Sequence, residues 1–301
     1  MGMVKGARVL LLGPETAKKW LHGLVWLTYI LCFSANALQP VSFTASIHQD
    51  TSRQFDGIDN FQFERLDTRI STPVLEKRPS VGTWLLGADF TESRFNITTD
   101  TSSQRRFYRI SIPVQYWPRR VGRWQHRWHF EPAYYSDESM VDQTRYEFEY
   151  AWQAKYWVNR KVGWIAGVRN DSRFGGAQFY PVFGLEARPN RRVHHHWVFP
   201  DIYSSFSVGR NRWRLFMEPD GGNWRYLQDD GTVASFALNE WTVGVDWSRS
   251  VHRRWRMKLS LGMKALGKGS VAGADGTLSD AYFLSIGLMS KTQLSRSSGG
   301  R

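Results

Sequence analysis

The stretch GRWQHRWHFEPAY, residues 122–134, alternates between two kinds of side chain. Its odd-numbered positions from 123 to 131 carry charged or polar groups, whereas most positions between them are aromatic. After a polar break, RYEFEYAWQAKYWV at residues 145–158 repeats the alternation. Successive side chains of a β-strand point to opposite faces, so both segments are predicted to be strands with one apolar and one charged face.

The chemistry of these two faces favours a wall between lipid and water. A transmembrane barrel places apolar side chains against lipid, and polar or charged side chains in its lumen. The 15 tryptophans among 301 residues fit the aromatic girdles of such a barrel. They also fit a carbohydrate-binding surface, and a soluble β-sandwich alternates in the same way.

The N-terminal residues 1–37 have the pattern of a cleaved secretory signal. A basic lead precedes an apolar stretch at residues 20–33, and Ala35-Asn36-Ala37 supplies a small-residue cleavage site. We therefore expect export through the general secretory route, a barrel over residues 38–290 and a polar C-terminal tail over residues 291–301. The single cysteine, Cys32, leaves with the signal, so a disulfide scaffold is excluded.

Short basic turns followed by tryptophan recur along the chain. They are RRVGRW at 119–124, NRKVGW at 159–164, GRNRW at 209–213 and HRRW at 252–255, with PNRR at 189–192 as a variant. Longer polar connections are predicted between them at residues 136–143, 170–177, 219–232 and 267–280. Short periplasmic turns that alternate with longer external loops are typical of outer-membrane barrels, in which each tryptophan would join an interfacial girdle.

These patterns predict an all-β fold, an antiparallel up-and-down transmembrane β-barrel of about 14 strands. The count begins at residues 41–48 and treats Pro200-Asp201 as a hairpin turn that splits residues 193–208. If the split is only a bulge and residues 41–48 lie outside the wall, the count is 12. Both counts are even, as is typical of bacterial single-chain barrels.

The stretch YPVFGLE at 180–186, with Pro189-Asn190 and Phe199-Pro200-Asp201, resembles an uncharacterised family of Gram-negative outer-membrane β-barrel domains. That family is catalogued as a domain of unknown function, and the resemblance covers roughly residues 81–289. It implies the barrel fold and an outer-membrane location. The family has no established activity, so it implies no catalytic residue.

Acidic and basic side chains alternate on the predicted inner face, where they would pair across strands or line a pore. The predicted lumen-facing binding residues are Arg123, Arg127, His129, Glu131, Arg145, Glu147, Glu149, Glu240, Asp246, Arg256 and Lys258. Whether the lumen is open or plugged is left undecided by the sequence.

Two histidine motifs raise the question of a metal or catalytic site. In His194-His195-His196, the first and third residues share one strand face, but the sequence indicates no third metal ligand. His129 lies near acids, as a catalytic base would, yet no serine has a recognisable nucleophile context. We therefore predict no metal, no cofactor and no catalytic residue.

The sequence thus predicts an outer-membrane protein of a Gram-negative cell, a porin-like passive pore or a binding barrel for small polar or anionic solutes. An outer-membrane lipid-modifying enzyme and a secreted carbohydrate-binding β-sandwich are the alternatives. Expected partners are outer-membrane lipids and the barrel-assembly machinery. Nucleic acid is not expected, because the bases of this +13 chain are spread over turns and an inner face. The oligomeric state is left open.

Overall fold

The computed structural model describes residues 43–99, 102–137, 145–227, 232–252 and 255–290. The predicted signal, residues 1–37, and the predicted tail, residues 291–301, lie outside these described residues. Every regular element in them is a β-strand. In the segments that the structure describes, no helix has the length and apolar character needed to cross a bilayer.

Seventeen strand segments follow one another along the chain. They are β1 (Thr44–Asp50), β2 (Arg53–Gln54), β3 (Gln62–Lys77), β4 (Gly82–Thr98), β5 (Ser102–Ser111), β6 (Val114–Pro118), β7 (Trp124–Asp137), β8 (Arg145–Trp157), β9 (Val162–Asp171), β10 (Gln178–Asn190), β11 (Val193–Phe199), β12 (Ile202–Val208), β13 (Asn211–Leu227), β14 (Val233–Ser250), β15 (Trp255–Val271), β16 (Ala274–Thr277) and β17 (Ala281–Ser290).

The sheet closes on itself because β1 pairs with β3 on one side and with β17 on the other. Segments β5 and β6 both pair with β4 and β7, so together they form one wall strand interrupted before Val114. The short segments β2 and β16 belong to connections at the rim. The wall is therefore a closed barrel of 14 antiparallel strands, which confirms the predicted fold and the larger of the two strand counts.

Both conditions for a count of 14 strands are met. The first strand, Thr44–Asp50, is part of the wall. Residues 193–208 form a true hairpin, because β11 and β12 pair antiparallel from Trp197↔Ile202 outward. The carboxamide oxygens of Asn159 and Asn190 each accept hydrogen bonds from two backbone N–H groups of their tight turns, at 2.8–3.0 Å. These asparagines stabilise the two tight turns in which they lie.

Two of the predicted long connections are shorter than expected. Residues 219–232 were predicted as a loop, yet β13 continues to Leu227 in unbroken register with β14. Residues 267–280 likewise contain the end of β15, through Val271, and the hairpin partner β16. Glycine and polar side chains suggested loops there, but Gly221 is part of the β13–β14 ladder, where it pairs in register with Asn239. A Cβ at Gly221 would lie only 2.2 Å from the carbonyl oxygen of Leu238, so only glycine fits.

The outer surface of the barrel is an apolar belt. Tryptophans that follow the basic turns point outward, with exposed fractions of 48% for Trp124, 58% for Trp164 and 46% for Trp213. Other large apolar side chains exposed on this surface include Ile47, Ile70, Ile110, Trp128, Phe130, Phe148, Phe183, Trp197, Leu215, Val243, Leu261, Leu284 and Ile286. Contiguous apolar surface of this extent is rare on a soluble protein.

Candidate functional site: the lumen of the barrel

An aromatic plug fills the lumen at the end where the longer connections lie. We define it as the buried cluster Phe55, Phe61, Phe63, Phe95, Phe107, Trp224, Phe236, Leu238, Val271 and Leu278, each at most 8% exposed. Most of its side chains come from inward positions near the strand ends, and Phe55 and Phe61 come from the connection between β1 and β3. The rings meet edge to face, for example Phe63 with Phe236 at 5.4 Å between centroids, which favours tight packing.

The connection that carries Phe55 and Phe61, residues 51–61, is fastened to the neighbouring connection, which contains Thr277, and to β17. We call it the plug segment. The carboxylate of Asp56 accepts hydrogen bonds from the backbone N–H and the hydroxyl of Thr277, and these bonds hold the pKa of Asp56 below its usual value. The backbone N–H of Thr51 also donates to the carbonyl oxygen of Tyr282 at 2.9 Å.

An ion-pair layer lies directly against the plug. We define it as Asp50, Arg53, Arg65, Asp220, Glu240 and Lys264. Lys264 is fully buried, and its ammonium lies 2.6 Å from Asp50, 2.7 Å from Asp220 and 3.4 Å from Glu240. Arg53 forms a fully buried ion pair with Glu240. Buried charges are tolerated only when they are paired, so the three acids and three bases depend on one another.

Solvent exposure falls steadily along β3 towards this closed end. Successive inward side chains are 56% exposed at Arg69, 14% at Asp67 and 7% at Arg65. Phe63, the next inward residue, is only 1% exposed. The lumen is therefore solvated towards the end with the short turns and dry at the end with the plug.

The solvated part contains a cavity of about 350 Å³, which we call the arginine cavity. Its polar lining consists of Arg69, Ser71, Thr72, Asp89, Gln115, Arg127, His129, Glu131, Gln153 and Arg169. A second cavity, of about 510 Å³, lies between it and the ion-pair layer and shares Arg69, Glu131 and Arg169 with it.

Most charged groups of the arginine cavity are neutralised by neighbours, and Arg127 is the exception. Arg69 pairs with Asp89 at 3.1 Å, and Arg169 pairs with Asp171 at 2.5 Å. The guanidinium of Arg127 donates to the amide oxygen of Gln115 at 3.0 Å and lies 5.6 Å from the ring of Trp117. Within the described residues it makes no ion pair with a carboxylate.

The acids of β7 and β8 are held in a network on the cavity wall. Arg109 bridges Glu131 at 2.7 Å and Glu149 at 2.8 Å. The imidazole of His129 lies 3.1 Å from Glu131, and Ser111 donates its hydroxyl to the same carboxylate at 2.7 Å. The carboxylate of Glu131 is therefore contacted by three neighbouring side chains.

The other predicted lumen residues are distributed over the whole height of the barrel. Glu240 belongs to the ion-pair layer. Asp246 is buried and pairs with Lys258 at 3.1 Å, and Glu147 is buried on the inner face of β8. Arg256 is half-buried at the end with the short turns.

Arg123 and Arg145 have different positions from the rest of the predicted set. Arg123 is exposed at a short turn, where it donates to the hydroxyl of Tyr156 on the outward face at 3.4 Å. Arg145 begins β8, but its side chain lies outside the described part of the structure. The side chain of Arg123 does not line the arginine cavity.

Sequence reasoning missed a second network beside the arginine cavity. Arg173 contacts Asp171 at 2.8 Å and Asp201 at 2.6 Å, and Tyr180 donates to Asp171 at 2.8 Å. Asp171, Arg173 and Asp201 were assigned to connections, because residues 170–177 and Pro200-Asp201 have the composition of turns. Only the closure of the barrel brings the two turns together, so no local pattern signals the network.

No family model and no curated relative matches this sequence. Among solved structures, the toluene transporter TodX of Pseudomonas putida shares 9% identity over 85% of this chain and 90% of its own, with a TM-score of 0.45. Outer membrane phospholipase A of Escherichia coli shares 10% identity over 85% and 99%, with a TM-score of 0.37. The KdgM porin in complex with disordered oligogalacturonate shares 8% over 82% and 98%, with a TM-score of 0.35.

At these identities and TM-scores the likeness carries no conclusion about this chain. The class is defined by the molecule's own features, which are a closed wall of 14 strands, an outward apolar belt and an inward network of charges. Closure of the wall also excludes the two-sheet sandwich among the predicted folds.

Proposed function

We propose that this protein is an outer-membrane β-barrel whose lumen binds small anionic solutes that enter from the end with the short turns. Of the two roles predicted from the sequence, this is the binding barrel rather than the passive pore. The apolar belt supports a membrane location, since lipid is the environment in which such a surface is stable. The aromatic plug and the ion-pair layer oppose free passage through the whole lumen.

The observation that carries the proposal is Arg127 in the arginine cavity. A guanidinium offers several donors in a planar fork that matches carboxylate or phosphate oxygens. Arg127 faces a solvated cavity without a carboxylate partner among the described residues, and the amides of Gln115 and Gln153 line the same space. The cavity volume of about 350 Å³ lies within the range of small-molecule sites.

The lipid-modifying enzyme has weaker support. Activation of a serine nucleophile needs a hydroxyl that donates its hydrogen bond to the imidazole. Ser111, which lies in the network of His129, donates instead to Glu131. The geometry therefore places His129 in the support of a carboxylate rather than beside a nucleophile.

Calorimetry on the folded protein in a nonionic detergent tests the binding proposal. Citrate, succinate and phosphate serve as anionic probes, and glucose serves as the neutral one. We expect anions to bind and glucose not to bind, with a loss of affinity of about tenfold or more for Arg127→Gln, as for one charge-assisted contact of about 1.5–3 kcal/mol.

The matched control is Arg123→Gln, which removes the same charge at the rim, outside the cavity. Its anion affinity should equal that of the unsubstituted protein. Equal losses in the two variants, or no preference for anions over glucose, would contradict the proposal. A steady open-channel conductance of the unsubstituted protein in planar bilayers would replace the binding barrel with a passive pore.

A further inference from the structure

Three side chains with metal-ligating atoms converge on the inner wall near the end with the short turns. Glu186 on β10 is paired in register with His196 on β11, and His194 lies two residues away on the same face. One ligand atom from each residue can be chosen so that all three lie within 4.8 Å of one another. The ring of Tyr203 stacks on His196 at 4.9 Å between centroids, which fixes the orientation of that imidazole.

One of these atoms, Nε2 of His194, is buried and has no hydrogen-bond partner within the described ranges. Oε1 of Glu186 is also buried, and its contacts are ion pairs with Arg188 and His194. A buried polar atom in the state of Nε2 calls for an explanation, such as an ion. The two atoms face each other at 3.3 Å.

That separation matches two ligands of one tetrahedral metal ion. Bonds of about 2.0–2.1 Å from zinc to nitrogen or oxygen place neighbouring ligand atoms about 3.3–3.4 Å apart. Nδ1 of His196 lies 3.9 Å from the other carboxylate oxygen of Glu186. The donor set of two imidazoles and one carboxylate suits zinc and related transition metals, whereas magnesium and calcium prefer oxygen ligands.

Two cationic side chains also contact Glu186, and they affect the expected affinity of the site for a metal ion. Lys155 lies 2.7 Å from Oε2 and Arg188 lies 2.8 Å from Oε1. The side chain of Arg188 is 55% exposed, so it can leave Oε1 without losing a buried environment. Lys155 contacts the other oxygen and can remain there, since carboxylates that bind metals are commonly held by a second partner.

We propose that Glu186, His194 and His196 form a binding site for a divalent transition-metal ion of the zinc type, with Arg188 as its competitor for the carboxylate. The site is separate from the arginine cavity and does not depend on the proposed anion binding. The sequence indicated the two histidines, but the third ligand lies on the neighbouring strand, and only the register of β10 and β11 reveals it.

Zinc binding by the untagged full chain, folded in detergent, tests this site. Equilibrium dialysis with Zn²⁺ should give one ion per chain. Glu186→Gln, His194→Ala and His196→Ala should each weaken binding by at least about tenfold, since even partners of metal ligands contribute that much. Arg188→Gln should instead bind Zn²⁺ several times more tightly, a gain that a merely structural cluster would not produce. Mg²⁺ should not compete.

The control is His195→Ala, which removes the neighbouring imidazole that bonds to Ser204 at 2.9 Å and points outward. It should bind Zn²⁺ as the unsubstituted protein does. A heat-dependent shift in gel mobility checks that each variant is folded, and a fold failure in one ligand variant leaves the other two to decide. Two outcomes would refute the site. The first is that no Zn²⁺ binds at about 1 mM, which corresponds to a binding free energy weaker than about −4 kcal/mol. The second is that Zn²⁺ binding survives in the double variant His194→Ala/His196→Ala.

Discussion

Glu240 is the most deeply buried carboxylate of the ion-pair layer. Its side chain is fully buried, paired with Arg53 and 3.4 Å from the ammonium of Lys264. We expect Glu240→Gln to lower the free energy of unfolding by about 3–5 kcal/mol, because it leaves two buried cations short of a partner. Urea unfolding of the protein in lipid vesicles measures this loss.

The ion pair of Arg78 with Glu76 provides the control. The side chain of Arg78 is 52% exposed, and ion pairs of exposed side chains contribute at most about 1 kcal/mol. Arg78→Gln should therefore unfold at nearly the same urea concentration as the unsubstituted protein. Equal losses for the two variants would mean that the ion-pair layer is solvated.

Phe130 provides a test, at a single residue, of which face of β7 contacts lipid. It lies near the middle of β7, pairs in register with Tyr150 and is 46% exposed. We expect Phe130→Arg to lower the free energy of unfolding in a bilayer by about 2–4 kcal/mol, the cost of arginine near the midplane of a barrel surface.

An arginine introduced on the inner face of the wall should be tolerated. Gln153 lines the arginine cavity on β8, so Gln153→Arg adds a charge to a solvated space and should cost less than about 1 kcal/mol. If Gln153→Arg proves as costly as Phe130→Arg, the assignment of the two faces is wrong.

At the scale of single elements, the plug segment is the part of the lumen that the sequence described least well. Most residues at positions 51–60 are polar and one is glycine, a composition that is typical of a loop and does not indicate its position. The inward positions of Phe63 and Phe95 follow from alternation along β3 and β4. Their contacts with Phe236, at 5.4 and 4.9 Å between ring centroids, follow only from closure of the barrel, because Phe236 lies on β14, far along the chain. No periodicity encodes such a contact.

Removal of the plug segment should open the lumen. We expect that replacing residues 55–60 with about six glycine and serine residues, a flexible linker, raises the conductance in planar bilayers. The change deletes Phe55 and the anchor Asp56 but keeps Arg53 in its buried ion pair. Asp59→Asn, an exposed change in the same segment, should leave conductance unaltered. Unchanged conductance after the replacement would show that the segment does not seal the lumen.

The turns predict which end of the barrel faces the cell exterior. Arg160 is exposed in a short turn, and Ala272 is exposed in the hairpin between β15 and β16. The chain after residue 37 has no cysteine, so a single introduced thiol gives a clear signal. On intact cells an impermeant thiol reagent should label Ala272→Cys, and it should label Arg160→Cys only after the outer membrane is permeabilised. The opposite labelling pattern would mean that the barrel is inserted in the opposite orientation.

For the whole molecule, the sequence predicted more of the wall than of the lumen. Alternation, turn chemistry and the proline hairpin at residue 200 are local signals, and together they predict 14 strands and their faces. The arginine cavity, the plug and the Glu186 cluster depend on which strands become neighbours across the closed sheet. Register and closure are non-local properties, so inward side chains could be named from the sequence but not grouped.

The central claim is that the outer belt of this closed barrel lies in the hydrocarbon region of a membrane. Fluorescence of the folded protein in vesicles whose lipids carry bromine on the acyl chains tests it most directly. Outward tryptophans such as Trp128 and Trp164, exposed by 51% and 58%, should be strongly quenched, and Trp128→Phe should reduce the quenched fraction. Tryptophan emission that bromine does not quench, from protein that stays folded and monodisperse without detergent, would contradict the account.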